Sequence, residues 1–205
     1  PKPELNDEQR VAVEAVATAA GFSPFLLFGV TGSGKTEVYL HVMERILARD
    51  PEAQVLLLVP EINLTPQLEG RVRKRFPGEH VVTLNSDLAD MERARSWLAV
   101  HEGRARVLVG TRMSVFASFR KLALIIVDEE HDQSFKAGDG LRYSARDLAV
   151  WRAHRNGVPV VLGSATPSIE SWVKAQSGGY RLLELRQRAV QNAQLPAIEL
   201  IEPPR

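Results

Sequence analysis

The sequence predicts an α/β fold: a mostly parallel, twisted sheet flanked by helices. Three observations predict it. Short β-branched or leucine-rich runs alternate with amphipathic helical patterns along a chain of 205 residues, the form that repeated βα units take in sequence. A glycine-rich octapeptide, GVTGSGKT at 29–36, stands between an apolar run and a helical pattern. An acidic tetrapeptide, DEEH at 128–131, closes a second apolar run, and open α/β sheets form their ligand crevice at the carboxyl ends of such strands.

The elements follow in order. Asn6 or Asp7 suits the cap of a helix over 7–20, with acidic residues in the first turn where the helix dipole favours them. The apolar run at 25–29 predicts the first strand. The helix over 35–49 carries Val38, Val42 and Ile46 at i+4 spacing, one buried stripe. Further apolar runs predict strands at 54–59, 80–84, 106–110, 122–128, 158–163 and 180–185, and helical patterns fall between them at 64–75, 89–102, 144–156 and 168–177. After Arg186 the pattern fades, and Pro196, Pro203 and Pro204 predict an extended exit. The expected organisation is one lobe over 1–186 and a linker over 187–205 toward a second lobe. A start at Pro-Lys-Pro-Glu without an initiator Met, and an end in Pro-Pro-Arg, read as a piece of a longer chain.

Composition bounds the rest. Lys and Arg number 26 against 25 Asp and Glu, a net charge of +1, so any nucleic-acid contact must be local. With no cysteine, disulfides and thiolate metal sites are excluded. The longest apolar runs are strand-sized, far below the roughly 20 residues that span a bilayer, so no membrane association is expected. The histidines lack ligand spacing, and no zinc is expected in this chain.

GVTGSGKT fulfils the G-x4-G-K-[ST] pattern in the strand-loop-helix setting that a phosphate-binding loop requires. Gly29, Gly32 and Gly34 permit backbone conformations that turn successive amides inward, with Thr31 and Ser33 between them. Lys35 places a positive charge toward the β and γ phosphates of ATP, and the Thr36 hydroxyl suits Mg²⁺. Asp128 at the strand tip is the second Mg²⁺ ligand, direct or through water, and Glu129 the residue that orients or deprotonates the attacking water. Lys35, Asp128 and Glu129 are therefore the expected catalytic set. Alone, DEEH reads equally as a solvated acidic turn, and its pairing with the glycine loop disfavours that reading; for the glycine loop itself, the full pattern in its setting outweighs a flexible turn beside a helix.

With both motifs in hand, nearly the whole chain resembles the first RecA-like P-loop lobe of superfamily 2 helicases, and within them the PriA family of replication-restart DNA helicases. The resemblance implies that Gln9, in LNDEQ at 5–9, reads the adenine edge; the same stretch also reads as a helix start. PEINLTPQ at 60–67 is similar to the segment that grips single-stranded DNA, giving Thr65 and Gln67, with Asn63 where the family commonly has Gly. GTRMSVFAS at 110–118 is similar to another DNA-backbone segment, giving Thr111 and Arg112, with Ser118 in place of Pro. LNSDL at 84–88 stands where the family more often reads LHSGL. GSATPS at 163–168 resembles the motif that relays nucleotide state to DNA grip, through Ser164 and Thr166, and His131 would bridge the nucleotide site to it; Ser168 also reads as a helix cap. The segment 132–147 resembles the family's aromatic-rich coupling loop. It offers Phe135 and Tyr143 for base stacking, Lys136 and Arg142 for phosphates and Arg146 for coupling, with Leu141 replacing an aromatic.

What the resemblance implies is an ATP- and Mg²⁺-dependent 3′-to-5′ helicase of the bacterial cytoplasm. Its partners would be single-stranded or forked DNA, a second helicase lobe, and primosome and single-strand-binding proteins. A lone first lobe would bind nucleotide weakly and unwind nothing. A small-molecule P-loop kinase and a noncatalytic DNA or protein platform stay open as rivals. Arg71, Arg73, Lys74 and Arg75 read as a solvated helix face, and Trp97, Trp151 and Trp172 as packing residues.

Overall fold

A computed structural model of the chain describes residues 2–30, 32–85, 87–136 and 144–187. It contains a seven-stranded sheet in the order β3-β4-β2-β5-β6-β1-β7, with every pairing parallel. The strands are β1 (Ser23–Gly29), β2 (Gln54–Leu58), β3 (His80–Leu84), β4 (Ala105–Gly110), β5 (Leu122–Val127), β6 (Pro159–Ser164) and β7 (Arg181–Leu185). The helices are α1 (Asp7–Ala17), α2 (Lys35–Arg49), α3 (Pro66–Arg75), α4 (Asp90–His101), α5 (Ala145–Asn156) and α6 (Ile169–Gln176). Each falls where the sequence predicts it. Three short 3-10 turns, Glu61–Asn63, Arg112–Phe116 and Gln133–Phe135, were not foreseen, because three to five residues carry no period to read.

Strand residues divide by parity into two apolar layers. Leu27, Val55, Leu57, Val107, Val109, Leu124, Ile126 and Val161 face α1 and α2, and Val38, Val42 and Ile46 of the predicted stripe close that layer. Leu26, Leu56, Leu58, Leu108, Ile125, Val127, Val160 and Leu162 face the other way, toward Ala149 and Ala153 of α5. A parallel sheet covered on both faces needs such continuously apolar strands. No described helix is long and apolar enough to cross a membrane.

Two surface expectations are corrected. Trp97 packs against the second layer and Trp172 meets Phe28 edge-on at 5.9 Å, but Trp151 is 57% exposed. It lies opposite the Ala145, Ala149 and Ala153 stripe of α5, and the Arg155 guanidinium covers its ring at 5.3 Å. The basic run on α3 is not simply solvated. Arg71 bonds the carboxylate of buried Glu37 at 2.8 Å, Arg75 pairs with both Glu37 and Glu44, and Arg73 donates to the Val81 carbonyl.

Candidate active site

The glycine loop hands directly into α2. Gly32 and Gly34 have φ of +80° and +85°, where a Cβ is disfavoured. Gly34 is the N-cap and no side chain caps the helix start, the setting in which helix amides can meet an anion. A Cβ at Gly29 would lie 2.4 Å from the Ser33 hydroxyl and 3.0 Å from Lys35 Cγ. The loop is packed closely enough on itself to require glycine there. Lys35 Nζ donates to the Gly29 carbonyl at 2.8 Å. The Ser33 hydroxyl is buried and has no hydrogen-bond partner among the described residues. Thr31 lies outside the described residues.

In front of the loop is a cavity of about 570 Å³, lined by Gln9, Gly32, Gly34, Lys35, Thr36, Asp128 and Glu129 with Pro3, Glu4, Glu37 and Arg71. The glycine loop and the tip of β5, far apart in sequence, thus share one cleft. Gln9 serves two purposes. Its side chain and that of Asn6 cap each other's amides at 2.9 Å, and its Nε2 donates to the Gly34 carbonyl at 3.2 Å. One amide hydrogen and one oxygen lone pair remain for a further partner.

Asp128 accepts a hydrogen bond from the buried Tyr39 hydroxyl at 2.8 Å. Burial pushes its carboxyl up to about 6, although Tyr39 and the Lys35 ammonium favour the ionised form. Burial, followed by the Asp128 charge, raises the Tyr39 phenol well above its ordinary value. A half-buried carboxyl held that high is short of positive charge. Thr36 and Asp128 open onto the same cavity, and no group of three or more His, Cys, Asp or Glu suited to a metal occurs among the described residues. Such a donor set fits Mg²⁺ held largely by phosphate and water rather than by a protein cage. Glu129 has φ of +49°, the one non-glycine among the described residues with a left-handed backbone. Strain of that kind tends to collect at functional sites.

Behind the cleft run two polar networks. His131 Nδ1 lies 2.7 Å from the Ser164 hydroxyl, its Nε2 lies 3.3 Å from the Thr166 hydroxyl, and the Thr166 amide donates to Ser164 Oγ at 2.9 Å. The bridge expected between DEEH and GSATPS is present as geometry. The second network was missed. Glu130 is buried and accepts from the Ser168 amide at 2.7 Å, the Ser171 hydroxyl at 2.9 Å and Arg146 at 3.2 Å. Arg146 thereby joins α5 to the acidic tip, while Ser168 caps α6. Tyr39 was missed too, although its place four residues after Lys35 puts both on one helix face.

The segments expected to meet DNA lie elsewhere on the same sheet. Thr65 caps α3, accepting from the Leu68 amide at 3.2 Å, and Gln67 is exposed in its first turn. Asn63 ends a 3-10 turn without a left-handed backbone, so the turn does not need the family's glycine. Thr111 and Arg112 line a second cavity of about 300 Å³ with Glu61 and Asn85, which brings the PEIN, LNSDL and TRM segments together. Arg112 donates to the Lys136 carbonyl at 3.2 Å, and Lys136 pairs antiparallel with Ser144. Phe135 corrects the expectation of stacking. It is 1% exposed, because the side chain of Asp132 caps the turn that carries it and folds the ring into the second apolar layer. Arg142 and Tyr143 lie outside the described residues.

A seven-stranded parallel sheet with a glycine loop after β1 and an acidic tip on β5, at one shared cleft, is the architecture of a RecA-like α/β lobe. The DEAD/DEAH box helicase family matches residues 6–174. The chain belongs to that family. It is 44% identical over 201 residues to the replication restart protein PriA of Bacillus subtilis (strain 168), covering 97% of this chain and 24% of that protein. It is 46% identical over 185 residues to PriA of Haemophilus influenzae, covering 90% of this chain and 25% of the relative. The chain therefore spans about a quarter of the curated relatives it matches. Among solved structures, RecG bound to a three-way DNA junction superposes with a TM-score of 0.68 at 22% identity, covering 93% of this chain and 25% of that one. DEAD-box helicase Mss116 bound to single-stranded RNA and UDP-BeF gives 0.64 at 17% identity, covering 93% and 41%. At those identities the likeness concerns the fold.

Proposed function

We propose that this chain is the ATP-binding lobe of an ATP-dependent 3′-to-5′ DNA helicase of the replication-restart kind that its PriA relatives name. The observation that supports it is the single cleft shared by Lys35, Thr36, Asp128 and Glu129. In this reading the amides of residues 32–36 and the Lys35 ammonium hold the triphosphate, and Gln9 recognises the adenine edge. Thr36 and Asp128 hold Mg²⁺, which when bound offsets charge on the phosphate oxygens. Glu129 orients the attacking water. His131, Ser164 and Thr166 pass the state of the cleft to β6, and Arg146 passes it to α5.

Thr65, Gln67, Thr111, Arg112 and Lys136 would track one DNA strand, together with Arg142 and Tyr143. Residues 187–205 would lead to a second lobe, whose arginine finger is worth about 10³–10⁵ in rate in enzymes of this kind. The chain alone is expected to hydrolyse ATP slowly and to unwind nothing. Forked DNA, primosome and single-strand-binding proteins are the partners this reading carries, and the bacterial cytoplasm its location.

Titration of Mg·ATP against the chain and against Lys35→Ala tests the site. Binding at least tenfold weaker in the variant is expected for loss of a charge-assisted phosphate contact, and equal binding removes the reading. DNA binding followed against salt is expected to fall with a slope near −0.7 per single-strand phosphate contacted. A flat response removes the backbone contacts.

A further inference from the structure

We infer that Tyr39 is a positioning residue for Asp128: its buried hydroxyl holds one carboxylate oxygen so that the other is presented to the phosphate cleft, and residue 163 is glycine to leave that hydroxyl its place. The inference rests on the reading of Asp128 as a residue that holds Mg²⁺.

Three observations carry it. Tyr39 is 1% exposed, and its hydroxyl donates to Asp128 Oδ1 at 2.8 Å. A buried phenol without an acceptor is costly, so the two side chains fix each other. Second, Tyr39 stands one helical turn after Lys35 on α2, so the helix that carries the lysine also carries the strut of the opposing carboxylate. Phosphate cradle and acidic tip are thereby held in one frame. Third, β6 lies between β1 and β5, and its Gly163 is opposite Leu27 of β1. A Cβ at Gly163 would lie 1.6 Å from the Tyr39 hydroxyl and 2.8 Å from Cζ, an overlap that requires the ring to move. Gly163 has no left-handed φ, so its want of a side chain is explained by this contact and not by its backbone. The glycine that opens GSATPS thus belongs to the nucleotide side of the sheet as well as to its own loop.

The test compares affinities for ADP and a non-hydrolysable ATP analogue, each with Mg²⁺ and with EDTA, in the 205-residue chain. Tyr39→Phe keeps the ring and removes the hydroxyl. It is expected to weaken binding about three- to tenfold with Mg²⁺ and to leave binding in EDTA unchanged, the loss of one hydrogen bond at the metal-holding carboxylate. Gly163→Ala is expected to reproduce that loss and to add less in the Tyr39→Phe background than in the wild type, since the nearest contact, with the hydroxyl, is gone and the 2.8 Å approach to Cζ remains. Wild-type affinity of Tyr39→Phe with Mg²⁺, an equal loss with and without Mg²⁺, or loss of its fold would each overturn the assignment. Lys35→Ala and Asp128→Asn separate the two levels. If Lys35→Ala binds like wild type, the nucleotide reading fails and Tyr39 falls with it. If both controls lose binding as expected while Tyr39→Phe does not, only the present inference fails.

Discussion

The Nδ1 atom of His131 lies 2.7 Å from the hydroxyl oxygen of Ser164, joining the acidic end of β5 to the neighbouring strand β6. Ser164 also accepts from the Thr166 amide, so one hydroxyl holds both the histidine and the loop beyond it. Ser164→Ala removes both bonds. The expected cost is about 1 kcal/mol in unfolding free energy, with faster hydrogen exchange at the Thr166 amide. Exchange at the wild-type rate would show that the loop does not depend on the hydroxyl.

Glu130 gathers Arg146, Ser168 and Ser171 around one buried carboxylate. Glu130→Ala is expected to cost about 1–3 kcal/mol, since it takes the acceptor from the Ser168 amide and the Ser171 hydroxyl while Arg146 keeps Asp147 and the Ser168 hydroxyl. Glu130→Gln keeps the shape and one acceptor and should cost clearly less. Denaturant midpoints for the two variants check this, and equal small losses would show the network to be incidental.

Glu37 gives a pH dependence of defined sign. Burial alone would raise its carboxyl, but Arg75 and Arg71 more than offset this and hold it below the ordinary 4.5. A value depressed in the folded state contributes stability that is present above the ordinary carboxylate range and is lost as pH falls through the depressed value. Glu37→Gln should therefore cost about 1–3 kcal/mol at neutral pH, with the gap to wild type closing below about pH 4. Unfolding midpoints measured between these limits test it. A gap that stays constant would assign the loss to packing.

Two phenylalanines should separate stability from DNA contact. Phe135→Ala empties a buried position and is expected to cost about 3–5 kcal/mol of stability. Phe116, 55% exposed on the turn that carries Arg112, is the better placed ring for stacking. Phe116→Ala should leave the melting temperature unchanged and weaken single-strand binding by about 1–3 kcal/mol. Fluorescence anisotropy with a labelled oligonucleotide reads this, and unchanged affinity would exclude the ring from the DNA path.

The order of elements was legible because each strand is an apolar run and each helix has its own period; Val38, Val42 and Ile46 announced the buried side of α2 before any contact was known. The glycine loop was legible because its pattern is local, eight consecutive residues between a strand and a helix. Tyr39 and Glu130 were not legible in that way. Their roles exist only through Asp128, Gly163, Ser168 and Arg146, which sequence places far away. Arg71 and Arg75 were read as a solvated face because nothing in α3 reveals that Glu37 waits on another helix. Phe135 was misread for a related cause: an aromatic residue in a loop has the same letter whether its ring turns outward or into the core.

The interposition of β6 between β1 and β5 sets a width. Two inter-strand steps separate β1, which runs into the glycine loop, from β5, which runs into Asp128, about 10 Å at the usual spacing of parallel neighbours. On one side of that gap Lys35 rests on the Gly29 carbonyl, and on the other Asp128 takes the Tyr39 hydroxyl. In the proposed reading, that spacing is what would let a phosphate and a hydrated ion lie side by side between the glycine loop and the acidic tip.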